Sequence, residues 1–400
     1  MIFIIVLVWT LSAIFGESFL QMNIVGGMNF YYIFLGICLM YFIFHLFFKS
    51  RLFNWREYGG FEFGRSLIVF LLISVIYIVI SFLNIPDMFN LNNLMYDSSY
   101  IFRHASFIPS FAILFSVYLC VLKSNYIENL KLYKLYLFLF GLFVVTKYVD
   151  IDIIVYSLLV ILLGSLILIK KKSIFSVIFL LFIIFVEVVG MSSFLLANIV
   201  LISIFIFRKS IINFFSKNYK FKTLFIFTSV ALLLIIVSNS LMGIISSDAN
   251  SLWRLNVWMN EINNLKNTLG FGVGFGTAYV DNNIFYEVDN SNMYSTLSEL
   301  FLVANHNSII NMFYRLGLMG GICFLIMNIT LIAWFAKVYK NINNNEKKYL
   351  LWAFANFAYS LIIISFNPGL ESPRFSYGFY ISSGLLIGFI IKSQKKYVNN

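Results

Sequence analysis

The chain contains three histidines, and one of them, His306, precedes Asn307 where a polar segment gives way to a long apolar run. A neutral imidazole has an ordinary pKa of about 6.5 and accepts a proton near neutral pH. His306 is therefore a candidate general base for a hydroxyl group. The alternative is a structural histidine that is hydrogen-bonded at the start of the next helix. Of the other two, His45 is predicted to be structural, and His104 adjoins Arg103.

Two arginines near this histidine are candidates for binding an anion. An arginine stays ionised and presents planar, paired donors, which suit a phosphate group. Arg254 lies near the start of a predicted helix over 251–267, where a cation opposes the helix dipole unless an anion is close. Arg315 follows His306 by nine residues, about half a turn round a regular helix. Arg315 is therefore the weaker candidate.

A run of alternating glycines, Gly270-Phe-Gly-Val-Gly-Phe-Gly276, follows the predicted helix. Such glycines allow the backbone to approach another group closely or to take a positive φ. The run lacks the Gly-Lys-Ser/Thr ending of a Walker loop, and no strand–helix unit flanks it, so neither nucleotide motif fits. By itself the run indicates a tight re-entrant turn.

The elements that must position these residues are predicted to be membrane-spanning helices. Of the 400 residues, 61% are hydrophobic and 11% are charged, whereas soluble proteins have about 45–50% and about 25%. A spanning helix needs about 20 apolar residues, so twelve would occupy about 60% of the chain. Apolar runs such as 174–189 do not alternate with polar residues, which argues against a β-barrel. The predicted fold class is an all-α polytopic membrane protein.

Hydropathy predicts about twelve transmembrane helices in three regions: nine helices over 1–241, one large outer loop over 242–306, and three helices over 307–400. The predicted spans lie near 2–20, 24–48, 66–85, 107–122, 132–146, 153–169, 173–188, 193–207, 223–241, 307–336, 349–366 and 377–391. The three cysteines lie inside apolar runs without the spacing of metal ligands.

Charge predicts the orientation of these spans. Lysine and arginine collect in the cytoplasmic loops of membrane proteins, and most of them lie on one side of the predicted spans, the side of both termini. The same bias accounts for the net charge of +11 without a nucleic-acid partner. The basic residues left on the outer side are Arg103, Lys147, Arg254, Lys266, Arg315 and Arg374.

The large outer loop contains many aromatic residues, which argues against disorder. Within 251–267, Leu252, Leu255, Met259 and Ile262 recur at helical spacing opposite a polar face. This pattern predicts a helix that lies along the outer boundary between membrane and water.

The order of these motifs resembles the signature of the O-antigen polymerase and ligase superfamily, which consists of bacterial inner-membrane glycosyltransferases. The motifs are Arg254…Trp258, the glycine run, His306-Asn307 and Gly317-Leu-Met-Gly320. The segment from Arg103 to Pro109 is similar to an outer-loop segment of many polymerases in that superfamily, with Ser106 in place of a glycine. A Ser-Arg-Gly triplet of many members has no counterpart, because Ser192-Ser193-Phe194 takes its place.

The resemblance implies a GT-C-like, multi-pass protein of the bacterial inner membrane with a large periplasmic loop and cytoplasmic termini. It implies that a glycan on undecaprenyl diphosphate is transferred to a new lipid-linked repeat unit with inversion of the anomeric centre. The lipid diphosphate would be the leaving group, and neither a cofactor nor a metal ion would be needed. The implied partners are these lipid-linked glycans, membrane lipid, a chain-length regulator and a flippase.

The resemblance and the chemistry together assign roles to the candidate residues. His306 would be the catalytic base. Positive charge must meet the departing diphosphate, and Arg103, Arg254 and Arg374 are predicted to supply it. Gly272 and Gly274 would let the loop backbone close over the junction of sugar and lipid. The predicted substrate-binding residues are Arg103, Arg254, Gly272, Gly274, Asn307, Arg315 and Arg374.

Two other functions stay open at this point. A ligase of the same superfamily would transfer finished glycan to lipid A core, and the missing Ser-Arg-Gly favours the polymerase over it. A flippase or transporter would also have about twelve spans. Transporters usually have two similar halves, and residues 1–200 and 201–400 show no such repeat.

Overall fold

A computed structural model describes residues 23–25, 28–48, 55–123, 210, 212–214, 249–279, 301, 307–342, 344–366, 370 and 373–399. The described residues are helical apart from a short antiparallel strand pair and the connecting turns. The elements are β1 Asn23–Val25, β2 Met28–Asn29, α1 Phe30–Phe48, a 3₁₀ turn Trp55–Tyr58, α2 Phe61–Ser81, α3 Ile85–Met88, a 3₁₀ turn Ser98–Tyr100, α4 Ile101–His104, α5 Phe107–Lys123, α6 Ala249–Asn267, α7 Ser308–Asn341, α8 Asn344–Phe366 and α9 Pro373–Asn399.

Long apolar helices occur where the sequence predicts spans. In the described part of the chain, four helical segments are long and apolar enough to cross a membrane: Phe61–Ser81, Ser98–Leu122, Ser308–Asn341 and Tyr349–Phe366. They support a helical membrane protein. The helices over the predicted second and last spans, α1 and α9, are not among these four.

The boundaries of some predicted spans differ from the helices. The span predicted from residue 24 begins as α1 at Phe30, because residues before it form the strand pair of β1 and β2. Backbone groups in that pair bond to the neighbouring strand instead of along a helix. The predicted spans at 2–20, 132–146, 153–169, 173–188, 193–207 and 223–241 lie outside the described residues. The count of twelve therefore stays a prediction.

The chain divides into two compact units. Unit 1 comprises Met1–Phe61, Pro109–Ile212 and Trp334–Asn400, and unit 2 comprises Glu62–Ile108 and Asn213–Ala333. The described helices of unit 1 pack through small residues. A Cβ atom added at Gly384 of α9 would lie 2.5 Å from the Leu114 carbonyl oxygen of α5. The hydroxyls of Ser360 and Ser382 are 2.5 Å apart and join α8 to α9.

Unit 2 is built from α2, α6, the first part of α7 and the turns between them. The Ser66 hydroxyl of α2 lies 3.0 Å from the Thr330 hydroxyl of α7. The rings of Phe70 and Phe324 join the same two helices, with centroids 5.4 Å apart. The chain that follows α6 is irregular and contains the glycine run, so unit 2 holds most of the described candidate residues.

Candidate functional site

The glycine segment, residues 268–279, follows α6 in unit 2; its residues 272–279 are buried, whereas Leu269 and Phe271 near its start are exposed. All four alternating glycines have positive φ: Gly270 (81°), Gly272 (82°), Gly274 (75°) and Gly276 (82°). The predicted need for glycine is confirmed here, because side chains other than glycine rarely adopt this conformation. The segment is a series of turns that other residues must anchor.

Helix α7 provides the first anchor, because it breaks at Gly317. That residue has φ 66° and ψ −173°, a conformation essentially restricted to glycine. The break frees backbone groups that the glycine segment then bonds. The Leu318 amide donates to the Gly270 carbonyl at 2.8 Å, and the Val273 amide donates to the Tyr314 carbonyl at 2.8 Å.

Close contact at this break also explains Gly272. A Cβ atom at Gly272 would lie 2.5 Å from the Gly317 nitrogen. The two glycines therefore permit the approach of two backbones within the protein. This packing does not test the predicted role of Gly272 and Gly274 in closing over a substrate.

Helix α2 provides the second anchor through two side chains. The Tyr77 hydroxyl donates to the Phe271 carbonyl. The Phe275 amide donates to the Ser81 hydroxyl at 2.7 Å, and this hydroxyl donates to the Tyr77 carbonyl at 2.5 Å. The bonds from Tyr77 and Ser81 thus satisfy the Phe271 carbonyl and the Phe275 amide of the glycine segment. In a regular helix or sheet, other backbone groups would pair them.

A short bridge between Tyr96 and Thr277 is the third anchor. The Asp97 amide donates to the Gly276 carbonyl at 2.9 Å, and the Ala278 amide donates to the Met95 carbonyl at 2.9 Å. The Tyr96 hydroxyl donates to the Ser81 carbonyl at 2.6 Å. Burial, and then the Asp97 carboxylate, raises the pKa of the Tyr96 hydroxyl above its ordinary value.

His104 is the fourth anchor and is 3% exposed. The Gly276 amide lies 3.1 Å from its Nδ1 atom, and because a backbone N–H can only donate, Nδ1 must accept. The proton is then on Nε2, which donates to the Phe301 carbonyl at 2.9 Å. Both ring nitrogens of a neutral imidazole are thus occupied by backbone groups.

Arg315 occupies the centre of these contacts and is 1% exposed. Its Nη1 atom donates to the Thr277 carbonyl at 2.5 Å and to the Gly274 carbonyl at 3.2 Å. The guanidinium carbon lies 4.3 Å from the ring centroid of Tyr279, a distance suited to a cation–π contact. The structure therefore joins two predicted residues, Arg315 and Gly274.

The other predicted binding residues lie in different surroundings. Arg103 is exposed in α4, next to His104. The Asn307 side-chain oxygen accepts bonds from the amides of Ile309 (3.1 Å) and Ile310 (3.0 Å), which makes it the N-cap of α7. Arg374 belongs to α9. The predicted base, His306, lies outside the described residues.

Helix α6 confirms the helix predicted over 251–267 and starts slightly earlier, at Ala249. Arg254 is half-buried in its second turn. The dipole effect fades beyond the first turn, so it constrains Arg254 less than the sequence predicts. Met259 and Ile262 of the apolar face are exposed, whereas Glu261 of the polar face is fully buried.

The anchoring roles of Tyr77, Ser81 and His104 are absent from the sequence prediction. The only signal was the position of His104 beside Arg103. Among the described residues, no three His, Cys, Asp or Glu side chains come together in a group that could hold a metal ion.

Comparisons with known proteins assign no family. No protein-family model matches the chain, and no curated protein or solved structure shows significant similarity to it.

Proposed function

We propose that this protein is a membrane glycosyltransferase that polymerises undecaprenyl-diphosphate-linked repeat units into O-antigen or a related surface polysaccharide. The reaction would occur on the periplasmic face of the bacterial inner membrane. The acceptor hydroxyl oxygen would form the new bond to the anomeric carbon, and the bond from that carbon to the lipid diphosphate would break.

One observation supports this proposal most directly. Three segments that carry the family resemblance are far apart in sequence and meet in unit 2. The Gly276 amide bonds His104, next to Arg103, and the carbonyls of Gly274 and Thr277 bond Arg315, which follows Asn307 on α7. Such convergence is expected when separate motifs serve one site.

The proposal gives each candidate a distinct role. His306 takes the proton of the acceptor hydroxyl. Arg103 and Arg254 bind the diphosphate as its charge develops, and Arg374 is a third candidate for this role. The exposure of Arg103 leaves its guanidinium accessible to an anion from outside the protein.

Deletion of the gene separates this function from its alternatives. With a polymerase lost, we expect lipid A core that carries a single repeat unit. Lipid-linked polymer that is not joined to core would instead indicate a ligase. Repeat units trapped on the cytoplasmic face would indicate a flippase.

Replacement of His306 tests whether this residue is the catalytic base. The assay uses membranes that are supplied with a lipid-linked repeat unit. His306→Ala should keep its protein level and lose chain lengthening. His45→Ala is the matched control, because the described hydrogen bond of His45, to the Tyr41 carbonyl at 2.8 Å, and its described ring contacts with Tyr41 and Phe44 lie within its own helix. Chains of normal length from His306→Ala would refute the base assignment.

Arg254→Lys tests the diphosphate contact, because lysine keeps the charge and loses the paired donors. We expect slower chain lengthening than in wild type. Arg65→Lys, at an exposed position of α2, should have no effect. Equal rates for Arg254→Lys and wild type would argue against a bidentate contact.

A further inference from the structure

The guanidinium of Arg315 is only partly used by its contacts. Nη1 serves two carbonyl oxygens, those of Thr277 and Gly274. The Nε and Nη2 atoms are buried and have no hydrogen-bond partner among the described residues. Buried donors of this kind are rare, because their loss of water is not compensated.

The two unused atoms form one edge of the guanidinium. The Nε–H and one Nη2–H bond point in parallel from this edge, in the geometry that binds two oxygens of a phosphate or carboxylate. Nη1, which holds the glycine segment, belongs to the other side of the group. The contacts with Gly274 and Thr277 thus hold one side of the guanidinium, while its paired donors have no hydrogen-bond partner among the described residues.

Charge points to the same conclusion. The hydrogen-bond and ring partners of Arg315 within the described ranges are neutral: two carbonyls and the rings of Tyr279 and Tyr314, with centroids at 4.3 and 5.2 Å. A buried charge is normally paired, because its transfer from water is costly. Tyrosine rings attract a cation without neutralising it.

We propose that the Nε/Nη2 edge of Arg315 is a binding site for a phosphate-type anion in the core of unit 2. Two oxygens of the anion accept the parallel N–H bonds, beside the ring of Tyr279, whose centroid lies 4.3 Å from the guanidinium carbon. The site follows from the arginine and its contacts alone. Only the assignment of the anion to a lipid-borne diphosphate rests on the proposed function.

The full-length protein in detergent tests the site by thermal unfolding with two probes, inorganic diphosphate and farnesyl diphosphate. Both should raise the melting temperature of wild type. If the natural anion is carried by a lipid, farnesyl diphosphate should bind at least tenfold more tightly than inorganic diphosphate. If the natural anion is a free phosphate compound, the two probes should bind equally. Absence of any shift with both probes would overturn the site.

Arg315→Lys is the decisive variant, because it keeps one positive charge and loses the paired donors. We expect the apparent Kd for diphosphate to rise at least tenfold, with Arg65→Lys unchanged from wild type. Equal affinity of Arg315→Lys and wild type would place the anion elsewhere and overturn the proposal.

A second measurement covers the case in which Arg315→Lys does not fold. In wild type labelled with ¹⁵N-arginine, the buried Nε–H of Arg315 should exchange slowly with solvent and give a persistent signal. Diphosphate should shift that signal, and an unmoved signal at saturation would refute the site.

The binding test and the gene deletion can give different answers. If diphosphate binds but deletion of the gene leaves glycan chains normal, this site is retained and the proposed function is rejected.

Discussion

The two units are stabilised in different ways. The described helices of unit 1 are regular, and they approach through glycine, serine and stacked rings. The rings of Phe335 and Phe354 are 4.0 Å apart and nearly parallel. In unit 2 an irregular segment lies between helices, and its backbone is bonded by Tyr77, Ser81, His104 and Arg315.

This difference between the units follows from the need of backbone N–H and C=O groups for hydrogen-bond partners in apolar surroundings. A regular helix satisfies its own N–H and C=O groups, so helix packing then needs only complementary shapes. An irregular segment needs a partner for each such group, and distant side chains must provide it. Substitutions in unit 2 should therefore cost more than similar substitutions in unit 1.

Gly317→Ala should have the largest effect on stability. Alanine would be strained by about 1–3 kcal/mol at this φ and ψ, and its Cβ atom would lie 2.6 Å from the Gly270 oxygen. With the added overlap, we expect a loss of about 3–5 kcal/mol in the free energy of unfolding. Titration with SDS in mixed micelles measures this loss.

Gly384→Ala in unit 1 is the matched control for Gly317→Ala. It would create a similar overlap, with the Leu114 carbonyl oxygen at 2.5 Å, but without a positive φ. We expect a smaller loss, of about 1–3 kcal/mol. Equal losses at the two glycines would show that backbone conformation adds nothing in unit 2.

His104→Ala should have the next largest effect. It removes the acceptor of the Gly276 amide and the donor to the Phe301 carbonyl, both buried. We expect a loss of about 2–4 kcal/mol in the same titration. His45→Ala removes a buried ring whose described hydrogen bond and ring contacts lie within α1, and it should cost less than His104→Ala. An equally small loss for His104→Ala would contradict its anchoring role.

Ser81→Ala should cost less, because it leaves one buried amide unpaired, that of Phe275. The expected loss is about 1–2 kcal/mol in unfolding free energy. Ser360→Ala in unit 1 removes a hydroxyl whose partner, Ser382, also donates to the Phe379 carbonyl at 3.1 Å. A greater loss for Ser360→Ala than for Ser81→Ala would reverse the proposed contrast.

Gly36→Ala should have the smallest effect, and of opposite sign. A Cβ atom at this position of α1 would have no neighbour within 4 Å. Alanine in a helix is favoured over glycine, so we expect a gain of about 0.5–1 kcal/mol. A measurable destabilisation would indicate that α1 makes contacts beyond those described.

Much of the described fold could be predicted from local sequence. The span predicted over 107–122 corresponds to α5 at Phe107–Lys123, and the loop helix predicted over 251–267 corresponds to α6. Apolar runs and helical spacing are local properties that persist whatever the chain contacts. The break in α7 at Gly317 was not predictable, because a glycine inside an apolar helix has no fixed outcome.

The candidate site was less predictable than the fold. The alternating glycines indicated close backbone approach, but the neighbour of Gly272 is Gly317, which is distant in sequence. Likewise, nothing near His104 indicated that it would bond the backbone of Gly276. Such pairings depend on long-range contacts, which spacing along one helix or loop does not reveal.

Local sequence was enough to determine the helical, apolar character of this protein and its run of alternating glycines. Tertiary structure alone decided which groups meet: Arg315 uses Nη1 for the glycine segment, and its Nε/Nη2 edge has no partner among the described residues. The reason is physical. Hydropathy and backbone conformation are properties of neighbouring residues, whereas the pairing of a buried donor depends on every chain segment packed around it.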